Sequence, residues 1–287
     1  MTELSIIIVS WNVKEKLREN LTALYQSVGD LGLEVFVVDN HSHDGTVAMI
    51  QQSFPRVRLI PNNHNLGFAK ANNQALRQAE GKYVLLLNPD MKVLPDTLQN
   101  MVNWMDANPQ ASLAGCHLVD QNLNTILHVR QFPTLNDQLA IVLKLPHLFK
   151  HILKNYLQEN FDYTKAAKVD SVRGGFFMLR QKTIEKIGLL DEQYFIWFEE
   201  VDYCKRVYAQ GGEVWYTPTA TCIDYVGQSF KQVKNRTTQA YFKSSMLKYF
   251  LKWQPKWQYY VLLLAWPFGQ TLAWVGGLFH FARKAKT

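Results

Sequence analysis

Cysteine is scarce in this chain of 287 residues: Cys116, Cys204 and Cys222 are odd in number and stand in no Cys-x-x-Cys or metal-ligand spacing. That argues against a disulfide framework or a zinc ribbon and suits a reducing compartment. A basic leader is lacking as well. Met1-Thr2-Glu3 carries no side-chain cation and the first apolar run is too short for a signal peptide, so a cytoplasmic protein is expected. Dense Lys/Arg runs are absent although the formal net charge is +7; Arg173 and Lys205-Arg206 stand alone. A nucleic-acid partner is therefore not expected, whereas a diphosphate or a lipid headgroup suits the basic excess. No internal repeat and no low-complexity linker divides the chain. At 47% hydrophobic it can bury a full core.

What is present is a set of apolar strands that stop at polar turns. Tyr83-Val84-Leu85-Leu86-Leu87 has no polar face and runs straight into Asn88-Pro89-Asp90. Such a run reads as a central parallel strand, and Pro89 ends it because proline has no N–H for the ladder. Asp90 is thereby delivered to the carboxyl edge of a sheet, where open α/β folds bind ligands. Leu4–Val9 leads in the same way to Ser10-Trp11-Asn12, and Glu34–Val38 to Asp39-Asn40. Helical spacing over Lys16–Val28 and Gly45–Ser53, a short strand at Val57–Pro61 and a helix from Ala69 to about Glu80 complete a β/α alternation. Three strand ends thus offer Ser10/Asn12, Asp39/Asn40 and Asn88/Asp90 at one edge.

Six motifs in order make the pattern specific. They are Ile8-Val9-Ser10-Trp11-Asn12; Val37-Val38-Asp39-Asn40 with Ser42 and Asp44-Gly45-Thr46; Asn65-Leu66-Gly67-Phe68-Ala69-Lys70-Ala71-Asn72-Asn73; Leu87-Asn88-Pro89-Asp90; Arg173-Gly174-Gly175-Phe176-Phe177-Met178; and Phe198-Glu199-Glu200-Val201-Asp202-Tyr203-Cys204-Lys205-Arg206. Over roughly residues 4 to 230 the chain resembles a family 2 glycosyltransferase, most of all the bacterial rhamnosyltransferases of surface-polysaccharide assembly. The resemblance implies a GT-A fold, an α/β Rossmann-like and mostly parallel sheet, over residues 1–235. It also implies a nucleoside-diphosphate-sugar donor, a glycan or lipid-linked acceptor, and Mg²⁺ or Mn²⁺ as cofactor.

Roles follow residue by residue from that resemblance. Ser10, Asn12, Asp39 and Asn40 would hold the nucleoside, with Asp39 accepting from the base; the competing reading is that Asp39 and Asn40 cap the helix near Asp44. Asp44 itself reads as shaping the turn with Gly45, and His41 and His43 as solvated loop residues. Asn65, Gly67 and Phe68, then Asn72 and Asn73, would line the donor pocket, against ordinary turn chemistry for the first three. Asp90 matches the last acid of the Asp-x-Asp metal motif, whose first position is here Asn88, a neutral oxygen. One or two protein carboxylates suffice for a hard divalent ion at phosphate. Glu200 occupies the place of the catalytic base, with Glu199 and Asp202 as the alternatives and Asp202 also suited to an ion pair with Arg206 four residues on. Gly174 and Gly175 would let backbone approach acceptor or donor. Trp197 would stack on a sugar or belong to the core. Relatives place histidine just ahead of the Gly-x-Ser at 227–229; here Asp224 would replace that metal ligand, or the metal loses a contact.

The C-terminal segment 236–287 is a separate question. From Val261 to Ala282 there is no charged residue other than His280, yet Pro267, Gly269, Gln270, Gly276 and Gly277 interrupt the run, and Arg283, Lys284 and Lys286 follow. A cytosolic C-terminus beside a cytosolic catalytic part forbids a single pass. The expectation is an in-plane or re-entrant apolar hairpin, kinked at Pro267, that docks residues 253–287 on the inner face of the cytoplasmic membrane. The alternatives are a helix pair packed on the globular part and a homodimer contact. The sequence thus reads as an inverting, metal-dependent glycosyltransferase. A catalytically inactive sugar-nucleotide-binding module is the second reading. A nucleotidyltransferase ranks lower, because no Gly-rich basic loop follows the first strand.

Overall fold

The computed structural model describes residues 2–27, 29, 31–225 and 235–284, with side chains to residue 272. Gly227-Gln228-Ser229, Val28 and the side chains of Trp274, Gly276, Gly277, His280, Arg283, Lys284 and Lys286 lie outside the described residues.

The first half alternates as the apolar runs require. Strands β1 (Leu4–Ser10), β2 (Leu33–Asp39), β3 (Arg58–Pro61) and β4 (Tyr83–Leu87) are joined through helices α1 (Lys14–Gln26), α2 (Thr46–Ser53) and α3 (Phe68–Leu76). All pairings among these strands are parallel, and Ser10 stands in register with Asp39, Asp39 with Pro61. Every side chain of β4 is buried. Its two faces feed two apolar clusters, Leu85 and Leu87 on one side and Val84 and Leu86 on the other. At about 1.5–3 kcal/mol per fully buried large apolar side chain, burial holds such a strand at the centre of the sheet, where it pairs with β1 from Tyr83 opposite Leu4 onward. Helix α3 ends at Leu76, short of the expected Glu80.

The second half of the sheet changes direction. Strand β8 (Phe176–Arg180) pairs antiparallel with β4 and with β6 (Ala111–Val119), and β6 runs parallel to β9 (Glu213–Asp224). After the Asn88–Asp90 turn the chain leaves β4, and β5 (Met91–Val93) pairs antiparallel with the end of β9, Met91 opposite Asp224. The strand order is β3-β2-β1-β4-β8-β6-β9-β5, with the two-residue β7 (Ala167–Lys168) on β9. Helices α4 (Thr97–Ala107), α5 (Leu135–Val142), α6 (Gln181–Ile187) and α7 (Glu199–Ala209) cover the faces.

The C-terminal segment corrects an expectation. It forms two helices, α8 (Asn235–Trp253) and α9 (Lys256–Lys284), so the turn falls at Gln254-Pro255 and Pro267 lies inside a continuous helix. Packing holds both flanks of that proline: Leu262 is buried before it, and Gly269 after it lies so close to Val142 of α5 that a Cβ would meet the Val142 carbonyl oxygen at 2.0 Å. Proline inside a helix removes one i→i−4 hydrogen bond and bends the helix there. The helix pair is also no free appendage. Tyr249, Phe250, Met246 and Leu262 form a third apolar cluster with Val142, Tyr194 and Phe198. Among the described residues no helix is long and apolar enough to cross a membrane.

Candidate active site

A cleft of about 550 Å³ opens along the carboxyl edge of β1 and β4. Its floor is Asn88-Pro89-Asp90, its walls Arg173-Gly174-Gly175 and the start of α7 with Glu199 and Glu200, and its rim Val9, Trp11, Asn40, Asn65, Gly67 and Phe68. Phe195, Ile196, Trp197, Thr237 and Tyr241 close the far side.

The floor is held by two contacts that sequence reasoning missed. Buried Asn20 of α1 donates through Nδ2 to the backbone oxygens of Asn88 (3.0 Å) and Met91 (2.9 Å), and the Asn88 amide donates to Gly175 O at 2.9 Å. Asp90 is thus presented in a turn fixed from both sides, its side chain buried yet lining the cleft. Asp224 joins it through the β5–β9 ladder, with the Tyr225 amide donating to Asp90 O at 3.1 Å. Asp224 itself pairs with Arg173, Nη1 to Oδ2, at 2.8 Å. Arg173 was quoted in a motif but given no site role, because an isolated arginine carries no sequence signal of what it faces.

The chemistry of the donor set can be judged from this geometry. One carboxylate, Asp90, and one amide side chain, Asn88, line the cleft floor; Asp224 lies buried behind it in the β5–β9 ladder, and among the described residues there is no cluster of three His, Cys, Asp or Glu able to hold an ion alone. That is too little for a closed protein cage and suits a Mg²⁺ or Mn²⁺ ion that completes its shell with phosphate oxygens and water. The residues fit the implied metal in that form.

The opposite wall carries the acids. Trp197 and Phe198 both adopt left-handed backbone, φ +64° and +68°, immediately before α7. Non-glycine residues there are strained, and such strain persists only where packing imposes it. Phe198 is clamped by Tyr249 and Phe242 of α8, at centroid distances of 5.5 and 5.7 Å, and Ser245 Oγ donates to Ile196 O at 2.7 Å. The kink aims Glu199 and Glu200 into the cleft. Burial raises the pKa of Glu199 well above the ordinary range, and the neighbouring Glu200 and Asp202 add to it. Burial also raises Glu200, while backbone hydrogen bonds and the Arg173 guanidinium oppose the rise. One oxygen of each, Glu199 Oε2 and Glu200 Oε2, has no hydrogen-bond partner among the described residues.

Asp202 is elsewhere. It is fully buried, pairs with Arg206 (3.0 Å) and Lys252 (2.7 Å), and accepts from Trp253 Nε1 at 2.7 Å. Among the three acids it alone does not line the cleft.

The polar residues at the ends of β1 and β2, of which Ser10, Asn12 and Asp39 do not line the cleft, divide into two groups. Asp39 is buried; Oδ2 accepts from the Ser42 amide at 2.9 Å, while Oδ1 has no partner, and neither has the hydroxyl of Ser10 beside it. A buried carboxylate oxygen left unpaired is costly and marks a place where a ligand donor belongs. Asn12 instead braces the loop, its Oδ1 accepting from the His43 amide and its amide donating to Ser42 Oγ. Asp44 accepts from Lys14 and Thr46 and shapes the turn. His41 and His43 pack edge to face on the surface, 4.4 Å between centroids.

The glycine loop is built around Asn40, whose Nδ2 donates to Gly67 O and whose Oδ1 accepts from Asn62 Nδ2. Gly67 has φ +82°, and a Cβ there would meet Phe195 O at 2.4 Å, so the loop docks directly on the Phe195 backbone. Phe195 in turn stacks on Tyr241 at 4.4 Å. Asn72 and Asn73 correct an expectation: neither lines the cleft. Asn72 Nδ2 donates back to Phe68 O, and Asn73 holds the Leu190 backbone at both its side-chain atoms. Residues 72 and 73 fall on the inner face of α3, where polar side chains need protein partners. Phe195, Ile196, Thr237 and Tyr241 were not foreseen; α8 lies outside every motif, and only the fold brings it to the cleft.

A parallel sheet edge carrying an acid, facing a second acidic wall across a cleft, defines a nucleotide-diphospho-sugar transferase architecture. The chain belongs to glycosyl transferase family 2, whose model matches residues 5–188. It is 24% identical over 256 residues to the N-acetylglucosaminyl-diphospho-decaprenol L-rhamnosyltransferase of Mycobacterium tuberculosis, covering 85% of this chain and 83% of that one. It is 26% identical over 253 residues to rhamnosyltransferase WbbL of Escherichia coli K12, covering 84% and 90%. Among solved structures, the mannosyltransferase PcManGT of Pyrobaculum calidifontis, in complex with GDP-Man and Mn²⁺, superposes with a TM-score of 0.59 at 19% identity, covering 96% of this chain and 75% of that one. GalNAc-T7 with UDP, GalNAc and Mn²⁺ gives a TM-score of 0.61 at 13% identity, with coverage of 86% and 48%. The fold is GT-A and the protein is a glycosyltransferase.

Proposed function

We propose that this glycosyltransferase moves rhamnose, with inversion, from a nucleoside-diphosphate donor to a hydroxyl of a lipid-linked glycan in cell-surface polysaccharide synthesis. The observation that carries the reading is one cleft with Asp90 on its floor and Glu200 on its wall. The sugar is taken from the names of the two rhamnosyltransferases, and the lipid-linked acceptor from that of the mycobacterial one.

Asp39 Oδ1 accepts from the base, beside Ser10, and Asn40, Asn65, Gly67 and Phe68 wall the donor. Asp90, with Asn88 and Asp224 adjoining, would hold the divalent ion, which would supply neutralisation of charge on the diphosphate. Trp197 and Trp11 offer faces to the sugars, and Gly174 and Gly175 leave room beside them. Glu200, unpaired at Oε2, takes the acceptor hydroxyl proton as that oxygen attacks the anomeric carbon from the side away from the diphosphate. One bond forms and the bond to the diphosphate breaks, so the centre inverts with no covalent enzyme intermediate. The work is done at the inner face of the cytoplasmic membrane, with segment 253–287 in contact with lipid.

The test is turnover of a panel of nucleoside-diphosphate sugars with Mn²⁺ and a short-chain lipid diphosphate sugar acceptor, the anomeric configuration of the product being read by NMR. Inverted product from a rhamnose donor is expected. Retention, or donor binding with no transfer to any acceptor, would overturn the reading, the latter in favour of an inactive binding module.

A further inference from the structure

The charge of this chain is unevenly distributed. The last 63 residues hold ten Lys or Arg and no Asp or Glu, so the preceding 224 carry 21 of the former against 24 of the latter. On this basic segment α9 has two distinct faces. Leu262 and Gly269 turn inward onto α5 and α8, whereas Trp257, Tyr260, Leu264, Phe268 and Leu272, spaced three or four residues apart, all point outward. Each is more than half exposed, Leu264 at 68%. The inward face has already spent the apolar surface that stabilises the helix, so the outward stripe is not explained by folding.

A second apolar patch follows, a few residues along the chain from the point where α9 rests on α5. Gly269, between Phe268 and Leu272, rests on Val142, and only six residues on from Val142 the chain presents Leu148 at 75% exposure, then Phe149 and Ile152. Between Asp137 and Glu159 the sequence has no acid, and Lys150 and Lys154 are exposed among these apolar residues. Lys256 stands exposed at the start of the α9 stripe. Aromatic and aliphatic side chains interleaved with lysine are the chemistry of a surface that lies in the headgroup region of an anionic bilayer. A second copy of the chain would set cations against cations, so charge favours lipid over self-association.

We infer that the outward stripe of α9 and the Leu148–Ile152 patch form one docking surface for anionic phospholipid, two elements far apart in sequence gripping the bilayer together. This rests on the membrane-facing reading above and extends it from the C-terminal segment to a surface loop that no tail-only contact requires. Residues Phe195–Glu200 of the cleft wall and the inward face of α9 share α8 as packing partner, so the same helix pair that touches lipid shapes the site that receives a lipid-linked acceptor.

The test is flotation of the full chain with vesicles of phosphatidylcholine alone or mixed with phosphatidylglycerol, for the wild type and three double variants: Leu148→Ser/Phe149→Ser, Phe268→Ser/Leu272→Ser, and Lys150→Glu/Lys154→Glu. All six positions are solvent-facing, so folding is expected to survive and is checked by thermal melting. Wild type should float with the anionic vesicles only, less so at high salt, and each variant should partition at least about tenfold more weakly. Donor turnover on a soluble short-chain acceptor should be unchanged in all, which separates failure of the surface from failure of the catalytic reading. Equal partitioning of the Leu148/Phe149 variant and wild type would overturn the two-element surface. So would a wild type that ignores vesicles and sediments as a dimer that these substitutions dissociate.

Discussion

Arg173 on the wall of the cleft pairs with buried Asp224 at 2.8 Å, and the same guanidinium opposes the rise that burial imposes on the Glu200 pKa. One cation therefore links the acid beside the metal position with the acid proposed as base. Replacing it with Arg173→Met removes a charge that stabilises ionised Glu200, so the Glu200 pKa rises further. The acid limb of the kcat/KM profile is expected to move to higher pH, measured over a pH series at saturating Mn²⁺. An unmoved limb with a uniformly lower rate would show that Arg173 acts on Glu200 by position alone.

Glu199 and Glu200 differ in what neutralisation should cost. Burial and two neighbouring acids favour a protonated Glu199, which a glutamine mimics; Glu200 has Arg173 opposing that trend and must ionise to accept a proton. Glu200→Gln should lower kcat by about 10²–10⁴-fold, the usual span for loss of a general base, and Glu199→Gln by far less. Rates of the two variants on one donor and acceptor decide it; a reversed order would give the base role to Glu199.

Helix α8 holds the strained approach to those acids. Ser245 donates to Ile196 O, and Lys252 bridges Asp191 and Asp202, each at 2.7 Å. Loosening this clamp with Ser245→Ala/Lys252→Met should lower kcat about tenfold, since small misplacements of a catalytic group cost that much or more. Donor affinity should stay within about twofold, because the nucleoside end lies on β1 and β2. Equal losses in kcat and in donor binding would contradict the clamp.

His128 is buried among Tyr163 and Tyr216, and burial, helped by Arg130, Arg173 and His117 and only partly opposed by the Cys116 backbone, depresses its pKa to about 3. Between the ordinary value near 6.5 and that figure the unfolded chain binds the proton and the folded chain does not. The folded state is therefore destabilised as pH falls through this window, by about 1.4 kcal/mol for each pH unit at most. His128→Phe should lose less stability than wild type between pH 7 and 5 in urea melts. Parallel losses would mean that other groups carry the acid sensitivity.

How much was legible follows from where the signals sit. Strand β4 and its end at Pro89-Asp90 were readable because burial on both faces leaves an unbroken apolar run and proline has no N–H to continue it. The acids at the start of α7 were readable as a cluster. The spacing to Arg206 already suited Asp202 to a helical ion pair, which the structure forms at 3.0 Å; its further partners Lys252 and Trp253, fifty residues away, are announced by no local pattern. Asn73 looked like a pocket residue because its motif touches the cleft at Gly67 and Phe68, yet one turn further along the helix the side chain faces Leu190. Pro267 suggested the kink of a hairpin; the turn falls instead at Gln254-Pro255, and the packing of Gly269 on Val142 beyond the proline is a tertiary fact that no local pattern carries.

The division of labour between Asp90 and Glu200 is tested most directly by calorimetric titration of a nucleoside-diphosphate rhamnose into wild type, Asp90→Asn and Glu200→Gln, each with Mn²⁺ and with EDTA. Mn²⁺-dependent binding is expected in the wild type, retained in Glu200→Gln and weakened at least about tenfold in Asp90→Asn. If position 90 grips the ion against pyrophosphate, no other outcome is possible for that variant. Binding of equal strength and equal Mn²⁺ dependence in Asp90→Asn would contradict it.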